Sequence, residues 1–116
     1  MQLSTQTIED VTRVILPPDK LDASNAAEFK AAVAPILTSQ SKIIFDLSQL
    51  HFVDSSGLGT ILSCLRLVNS SGGDLKLCCL QRGVRALFEL VRMHRVFDIG
   101  ESVSDAVLAF KTVSAP

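Results

Sequence analysis

The chain lacks the features that mark nucleic-acid-binding and membrane proteins. Its 11 Lys and Arg residues and 12 Asp and Glu residues leave a formal net charge of −1, so no broad positive field attracts phosphate backbones or anionic lipids. Apolar runs such as those at 43–45 and 75–80 are too short to span a bilayer. Residues 1–4 do not resemble the start of a secretory signal. We therefore expect a soluble, cytoplasmic protein that binds neither nucleic acid nor membrane.

Cysteine and histidine are also scarce, and their spacing does not indicate a metal site. The three cysteines, Cys64, Cys78 and Cys79, form no CxxC pair. The two adjacent ones are expected to point to opposite faces of a strand. We interpret all three as small core or near-core residues of a reducing compartment. His51 and His94 lack ligand-like spacing and are expected at the surface, so neither a metal nor a cofactor is predicted.

The length and composition indicate one domain. With 116 residues, of which 47% are hydrophobic, the chain can build one buried core but has no room for a second. We assign residues 1–112 to this domain and residues 113–116 to a loose tail. Two β-rich runs at 3–8 and 11–16 predict an antiparallel hairpin, which Pro17 and Pro18 should end.

Strands and amphipathic helices alternate along the rest of the chain. Asp22 is expected to cap a first helix, which Pro35 should kink or shorten in its last turn. A nearly all-apolar run at 43–47 predicts a central strand covered on both faces. A loop through His51 then leads to a helix that starts at Ser55 or Ser56. Further strands are expected at 75–79 and 96–99, with helices around 84–91 and 103–110.

This order of elements predicts an α/β fold with a mixed β-sheet of about five strands, in which the N-terminal hairpin flanks a parallel core. About four helices should pack on the sheet, each through an apolar stripe. The expected inward positions are Ala26, Phe29, Val33, Ile36 and Leu37 in the first helix; Leu58, Ile61, Leu62 and Leu65 in the second; Val84, Leu87, Phe88 and Val91 in the third; and Val103, Ala106, Val107 and Phe110 in the fourth.

The segment most indicative of function is at the start of the second helix. Asp54, Ser55 and Ser56 are all good N-cap residues, which by itself predicts no more than a well-capped helix. Gly57 and Gly59, however, cost about 1 kcal/mol each relative to alanine inside a helix, which indicates a close approach, such as that of a partner backbone. A hydroxyl at a helix N-terminus can also accept a phosphate without disrupting the fold.

The runs at 43–48 and 52–59, followed by Gly72 and Gly73, resemble the STAS domain of bacterial anti-sigma factor antagonists. The resemblance covers nearly the whole chain. It implies that the unphosphorylated chain binds a GHKL-type serine-kinase anti-sigma factor, which then releases its sigma factor or other target. It also implies that phosphorylation ends this interaction and that a PP2C-type phosphatase restores it.

The resemblance places the phosphoacceptor directly after the family's aspartate, which corresponds here to Ser55 after Asp54. The implied partner-binding residues are Asp22, Asp54, Ser55, Ser56, Gly57 and Leu58. One position departs from the family pattern, since Asp19 stands where relatives usually carry glycine. Aspartate can adopt left-handed backbone conformations, so the predicted fold is unaffected.

Other functions fit the sequence less well. A serine hydrolase would need a GxSxG turn and a histidine from a separate loop, whereas His51 precedes the serines by only a few residues; we therefore predict no enzyme activity. Glycine-rich phosphate-binding signatures are absent from the sequence. A basic side near the third helix is expected to be a solvated face able to contact an acidic partner; it contains Arg82, Arg85, Arg92 and Arg95. The remaining alternative is a constitutive STAS scaffold subunit of a transport or signalling complex.

Overall fold

The computed structural model describes residues 1–111. The expected domain end at 112 and the expected tail at 113–116 lie outside these residues. The elements are, in chain order, β1 (Ser4–Ile8), β2 (Val11–Ile15), β3 (Asp19–Leu21), α1 (Ala26–Ser39), β4 (Lys42–Asp46), β5 (Leu50–Val53), α2 (Ser55–Ser70), β6 (Asp74–Cys78), α3 (Arg82–Leu90), a 3₁₀ turn (Met93–Arg95), β7 (Ile99–Gly100) and α4 (Val103–Lys111). Among these, no helix is long and apolar enough to cross a bilayer.

The main sheet has five strands in the order β1-β2-β4-β6-β7. Strands β1 and β2 form the antiparallel hairpin, and the remaining neighbours pair in parallel. Strand β4 lies at the centre, where Ile43, Ile44 and Phe45 are all fully buried, because helices cover both faces of the sheet. The predicted mixed α/β architecture with four helices is confirmed.

The helices divide between the two faces of the sheet. The larger core joins α1, α2 and α3 to one face, and the rings of Phe29 and Phe45 meet edge to face there at 5.7 Å. The smaller core joins α4 to the other face through Ile44, Cys78 and Ala106. The side chains of the adjacent residues Ile44 and Phe45 therefore lie in different cores, because successive side chains of a strand point to opposite faces of the sheet.

A second, two-stranded sheet was not predicted. Residues 50–53, which include the expected loop through His51, form β5 and pair in parallel with β3. Only Leu50 and Val53 at the ends of β5 are buried, while His51 and Phe52 are exposed. This short strand therefore shows neither alternation nor a continuous apolar run, the two patterns by which strands are predicted.

Three helices differ from the predictions in detail. Val91, expected on the inward side of the third helix, follows the end of α3 at Leu90 and is 47% exposed. In α2, Leu58 and Leu62 are half-buried rather than central, and the buried stripe is Gly57, Ile61, Cys64, Leu65 and Val68. In α1, the helix continues past Pro35 to Ser39. The short strand expected at 96–99 is restricted to Ile99–Gly100, because the backbone N–H groups of Val96 and Phe97 still bond to the Met93 carbonyl in the turn that follows Met93–Arg95.

The cysteine prediction is half right. Cys64 and Cys78 are buried and Cys79 is partly buried, which confirms them as core or near-core residues. The expectation that Cys78 and Cys79 point to opposite faces is wrong, because their Sγ atoms lie 3.3 Å apart. Cys79 follows the end of β6 and adopts a left-handed backbone with φ of 66°, which cancels the alternation of an extended strand.

The surface residues also follow the prediction in part. Both His51 and His94 are exposed, as expected. Of the four arginines in the predicted basic face, Arg82, Arg92 and Arg95 are exposed, whereas Arg85 donates a hydrogen bond to Glu101 at 3.1 Å.

Candidate functional site: the start of helix α2

Asp54 directly precedes α2 and is its N-cap, one of the three capping residues predicted. The backbone of Asp54 is extended, and its Oδ1 accepts a hydrogen bond from the Gly57 N–H at 2.9 Å. The Asp54 carbonyl accepts the first helical hydrogen bond, from the Leu58 N–H at 2.9 Å. This arrangement satisfies one of the amides that a helix N-terminus leaves unpaired and fixes the direction of the first turn.

Ser55 and Ser56 are the first two residues of α2, and both are exposed. The buried stripe begins only at Gly57, so the two serines precede the part of the helix that enters the core. A modifying enzyme can therefore reach either hydroxyl without opening the fold.

Asp54 also connects the helix to a distant loop. Its second oxygen, Oδ2, accepts a hydrogen bond from the Ala23 N–H at 3.1 Å, across 31 positions of sequence. One carboxylate thus joins the start of α2 to the turn that follows β3. Because Asp22 belongs to that turn, the structure brings the predicted residues Asp22 and Asp54 to one surface.

The turn at 22–25 is held by four hydrogen bonds made by the side chains of Asp22 and Asn25. Asp22 Oδ1 accepts hydrogen bonds from the backbone N–H and the hydroxyl of Ser24, and these bonds lower the pKa of Asp22. Asn25 Oδ1 accepts from the Asp22 N–H at 2.9 Å, and its amide donates to the Lys20 carbonyl at 2.9 Å. These bonds give the loop a defined shape on the surface next to Asp54.

The predicted capping role of Asp22 needs correction. Helix α1 begins at Ala26 with Asn25 at the N-cap position, whereas Asp22 caps the preceding turn. The Asp22 carbonyl accepts hydrogen bonds from the backbone N–H groups of Asn25 and Ala26. Asp22 therefore shapes the loop that faces Asp54 rather than the helix itself.

Asp19, which replaces the glycine that relatives usually carry, has a φ of 75°. This is the left-handed conformation in which aspartate is tolerated better than most residues. The expectation that Asp19 leaves the predicted fold unaffected is thus confirmed.

Gly57 is explained by a close approach inside the chain. A Cβ at this position would lie 2.2 Å from the Leu21 carbonyl oxygen and 2.8 Å from Val53 Cγ1. Gly57 is accordingly buried, so the expectation that a partner backbone explains this glycine is wrong. Gly57 lets the loop after β3 pack on α2 and supports the surface from beneath.

Gly59 differs from Gly57 in its surroundings. It is exposed, and a Cβ added there would meet no atom of residues 1–111 within 4 Å. Gly59 lies one turn after Ser55 and therefore on the same side of α2. Nothing inside the fold requires a glycine here, so the close approach of a partner remains a prediction for this position alone.

Two apolar side chains border the site. Leu58 is half-buried and packs against the main core. Phe52 is 54% exposed on β5, two residues before the cap. Sequence reasoning missed Phe52 because β5 itself was not predicted. A single exposed apolar side chain is common on soluble proteins, so Phe52 adds to the site only as a position that a docked partner can contact.

His51 does not pair with the two serines at the start of α2 in the described residues. In the part of the chain that the structure describes, no hydrogen bond joins His51 to Ser55 or Ser56, although a nucleophilic serine needs such a base. The fold and the site together define a small α/β domain with an open, capped helix start, which is suited to binding another protein.

Residues 2–106 match the STAS domain family, and the chain belongs to that family. The anti-sigma F factor antagonist of Paenibacillus polymyxa is 32% identical over 72 residues, which are 62% of either chain. A crystal structure from Thermotoga maritima, of a protein assigned to the anti-sigma factor antagonists, has a TM-score of 0.86 and 27% identity over 94% of both chains.

A third similarity concerns a phosphorylated protein. The structure of the Bacillus cell fate determinant SpoIIAA in its phosphorylated form has a TM-score of 0.70 and covers 94% of this chain and 99% of its own. At 18% sequence identity, this match shows a common fold alone.

Proposed function

We propose that this protein is an anti-sigma factor antagonist controlled by phosphorylation at Ser55. In its unphosphorylated form it binds a GHKL-type serine-kinase anti-sigma factor, which then releases its sigma factor or other target. The kinase phosphorylates Ser55 and the complex dissociates, and a PP2C-type phosphatase returns the protein to the binding form. The protein itself catalyses no reaction and needs no cofactor.

The observation that carries the proposal is the exposure of Ser55 as the first residue of α2. A phosphate at this end of a helix is favoured by the helix dipole and by amides without helical partners. The modified protein should therefore keep its fold. The switch then acts through the surface and not through unfolding.

The charge on that surface explains why binding would end. Asp22 and Asp54 already place two carboxylates beside α2, joined through the turn at 22–25. A phosphate adds about −1.5 to −2 charges at neutral pH. A partner that docks closely on Ser55, Ser56 and Leu58 would have to desolvate this added charge, which costs free energy unless it is paired.

The uncharged part of the surface gives the partner room. Gly59 leaves open space one turn beyond Ser55, and Phe52 offers an exposed ring on the adjoining strand. Gly57 lies beneath this surface, where the absence of a side chain lets the Leu21 backbone pack against the helix. The names of the relatives, which are antagonists of anti-sigma factors, support such a partner.

Aspartate substitution with a matched control tests the switch. Ser55→Asp should weaken capture of the cognate kinase, since it places a permanent charge in the contact surface. Ser104 is also an exposed serine in the first turn of a helix, but α4 lies on the opposite face of the sheet. Ser104→Asp should therefore leave capture unchanged.

Mapping of the modified residue completes the test. After incubation with the kinase and ATP, mass spectrometry should find the phosphate on Ser55, and Ser55→Ala should abolish it while Ser56→Ala does not. If Ser55→Asp binds the kinase as tightly as the unmodified protein, the gating proposal fails. Such a result would favour the constitutive scaffold role.

A further inference from the structure

A second cluster of chemically active side chains lies away from α2. Asp46 and Cys78 end the adjacent parallel strands β4 and β6 and are register partners, and Cys79 follows directly. One carboxylate oxygen and the two Sγ atoms all lie within 4.8 Å of one another. The carboxyl ends of parallel strands are a common location for ligand sites in α/β folds.

Main-chain hydrogen bonds fix the positions of the two cysteines. The Cys78 carbonyl accepts from the Leu47 N–H at 3.0 Å, and the Cys79 N–H donates to the Gly100 carbonyl at 3.1 Å. The left-handed φ of Cys79 then turns its side chain toward that of Cys78. The sheet therefore holds the two sulfur atoms together before any ligand arrives.

A disulfide is a poor outcome for this pair. The Cα atoms of adjacent residues joined by a trans peptide are about 3.8 Å apart, whereas disulfides ordinarily need about 4.4–6.8 Å. Bond formation would also have to bring the sulfur atoms from 3.3 Å to about 2.0 Å. The geometry suits two separate sulfur ligands on one ion better than a bond between them.

We propose that Asp46, Cys78 and Cys79 form a binding site for Zn²⁺. Two thiolates and a carboxylate are ligands that Zn²⁺ accepts, at about 2.3 Å for sulfur and 2.0–2.2 Å for oxygen. Two sulfur ligands on a tetrahedral Zn²⁺ lie about 3.8 Å apart, so the two Sγ atoms must separate by about 0.5 Å from their present 3.3 Å to admit the ion. Cys79 is only partly buried, so an ion can enter from its side and a water can complete a tetrahedral set.

The surroundings balance the charge of the loaded site. Arg13 Nε donates to Asp46 Oδ2 at 2.9 Å, and the Ser48 N–H donates to Oδ1 at 2.8 Å. These contacts orient the carboxylate as outer partners of metal ligands do. Each thiol releases its proton to the buffer when the ion binds. Two thiolates, one carboxylate, the Arg13 guanidinium and Zn²⁺ then sum to zero.

Titration with Co²⁺ as a spectroscopic substitute for Zn²⁺ tests the site in the intact chain. The wild type should develop thiolate-to-cobalt charge-transfer absorption and tetrahedral d–d bands that saturate at one ion per chain and vanish on adding Zn²⁺. Cys79→Ser should lose the charge-transfer absorption. Cys64→Ala should keep it, because Cys64 belongs to the core on the other face of the sheet. No saturable band, or a band that survives Cys79→Ser, would overturn the proposal.

Alkylation of the wild type gives a readout that does not depend on the folding of a variant. With Zn²⁺ present, modification of Cys79 by a maleimide, followed by mass spectrometry, should slow at least severalfold, while the rate at Cys64 stays the same. Equal rates at Cys79 with and without Zn²⁺ would contradict the site. Neither experiment involves the kinase, so a negative result would contradict the zinc site without bearing on the proposed function.

Discussion

Replacing Gly57 with alanine should destabilise the protein even though alanine is the better helix former. The new Cβ would lie 2.2 Å from the Leu21 carbonyl oxygen and 2.8 Å from Val53 Cγ1, and the closer contact is with backbone that cannot rotate away. Overpacking of this kind typically costs about 1–3 kcal/mol, occasionally more. Alanine returns about 1 kcal/mol of helix propensity. The net expectation is a loss of up to about 2 kcal/mol in the free energy of unfolding, toward the upper end because the closest contact is with backbone.

The matched control is Gly59→Ala on the same helix. In the described part of the chain no atom lies within 4 Å of the added Cβ, so only the gain in helix propensity applies. The unfolding free energy should therefore rise by about 0.5–1 kcal/mol. Urea denaturation of both variants, followed by far-ultraviolet circular dichroism, measures the two changes. If Gly57→Ala is as stable as Gly59→Ala, the loop after β3 does not pack on α2 as described.

Three further predictions follow from the same contacts. Gly59→Ala should weaken capture of the kinase although the variant is more stable, since the added methyl group fills the open space beside Ser55. An unchanged pull-down yield would show that the kinase does not contact Gly59 closely. Asp54→Ala removes the cap and the bond to Ala23, and should lower the unfolding free energy by about 0.5–2 kcal/mol, measurable by thermal denaturation; no loss would mean that water replaces both bonds. Although burial acts to lower the pKa of Lys76, hydrogen bonds to Asp98 and Asp74 raise it above 10.5. The stability that these ion pairs contribute is present below pH 10.5 and is lost as the pH rises through the higher pKa of the folded state. The unfolding free energy of Lys76→Met should therefore fall less steeply at alkaline pH than that of the wild type. Equal slopes would show that the ion pairs of Lys76 do not stabilise the fold.

The sequence patterns predicted the elements that bury a continuous or periodic apolar surface. The run at 43–47 placed β4 at the centre of the sheet, and the residues Asp54, Ser55 and Ser56 located the start of α2 within one residue. These signals are local, because a helix cap and a strand buried on both faces can each be recognised from a few consecutive residues.

The missed features depend on contacts between distant residues. Strand β5 exists because it pairs with β3, and its own residues carry no strand pattern. Gly57 and Gly59 look alike in sequence, and only the position of the Leu21 carbonyl tells them apart. The pairing of the two adjacent cysteines depends on a left-handed residue that is not glycine, for which cysteine gives no signal.

The central claim is that a phosphate on Ser55 ends partner binding while the fold survives. The most direct measurement is the affinity of the cognate anti-sigma kinase for the unphosphorylated chain and for the chain fully phosphorylated at Ser55, with the thermal midpoint of each form recorded in parallel. We expect the dissociation constant to rise on the order of tenfold or more while the midpoint changes little. Equal affinities, or a loss of affinity accompanied by unfolding, would contradict the account.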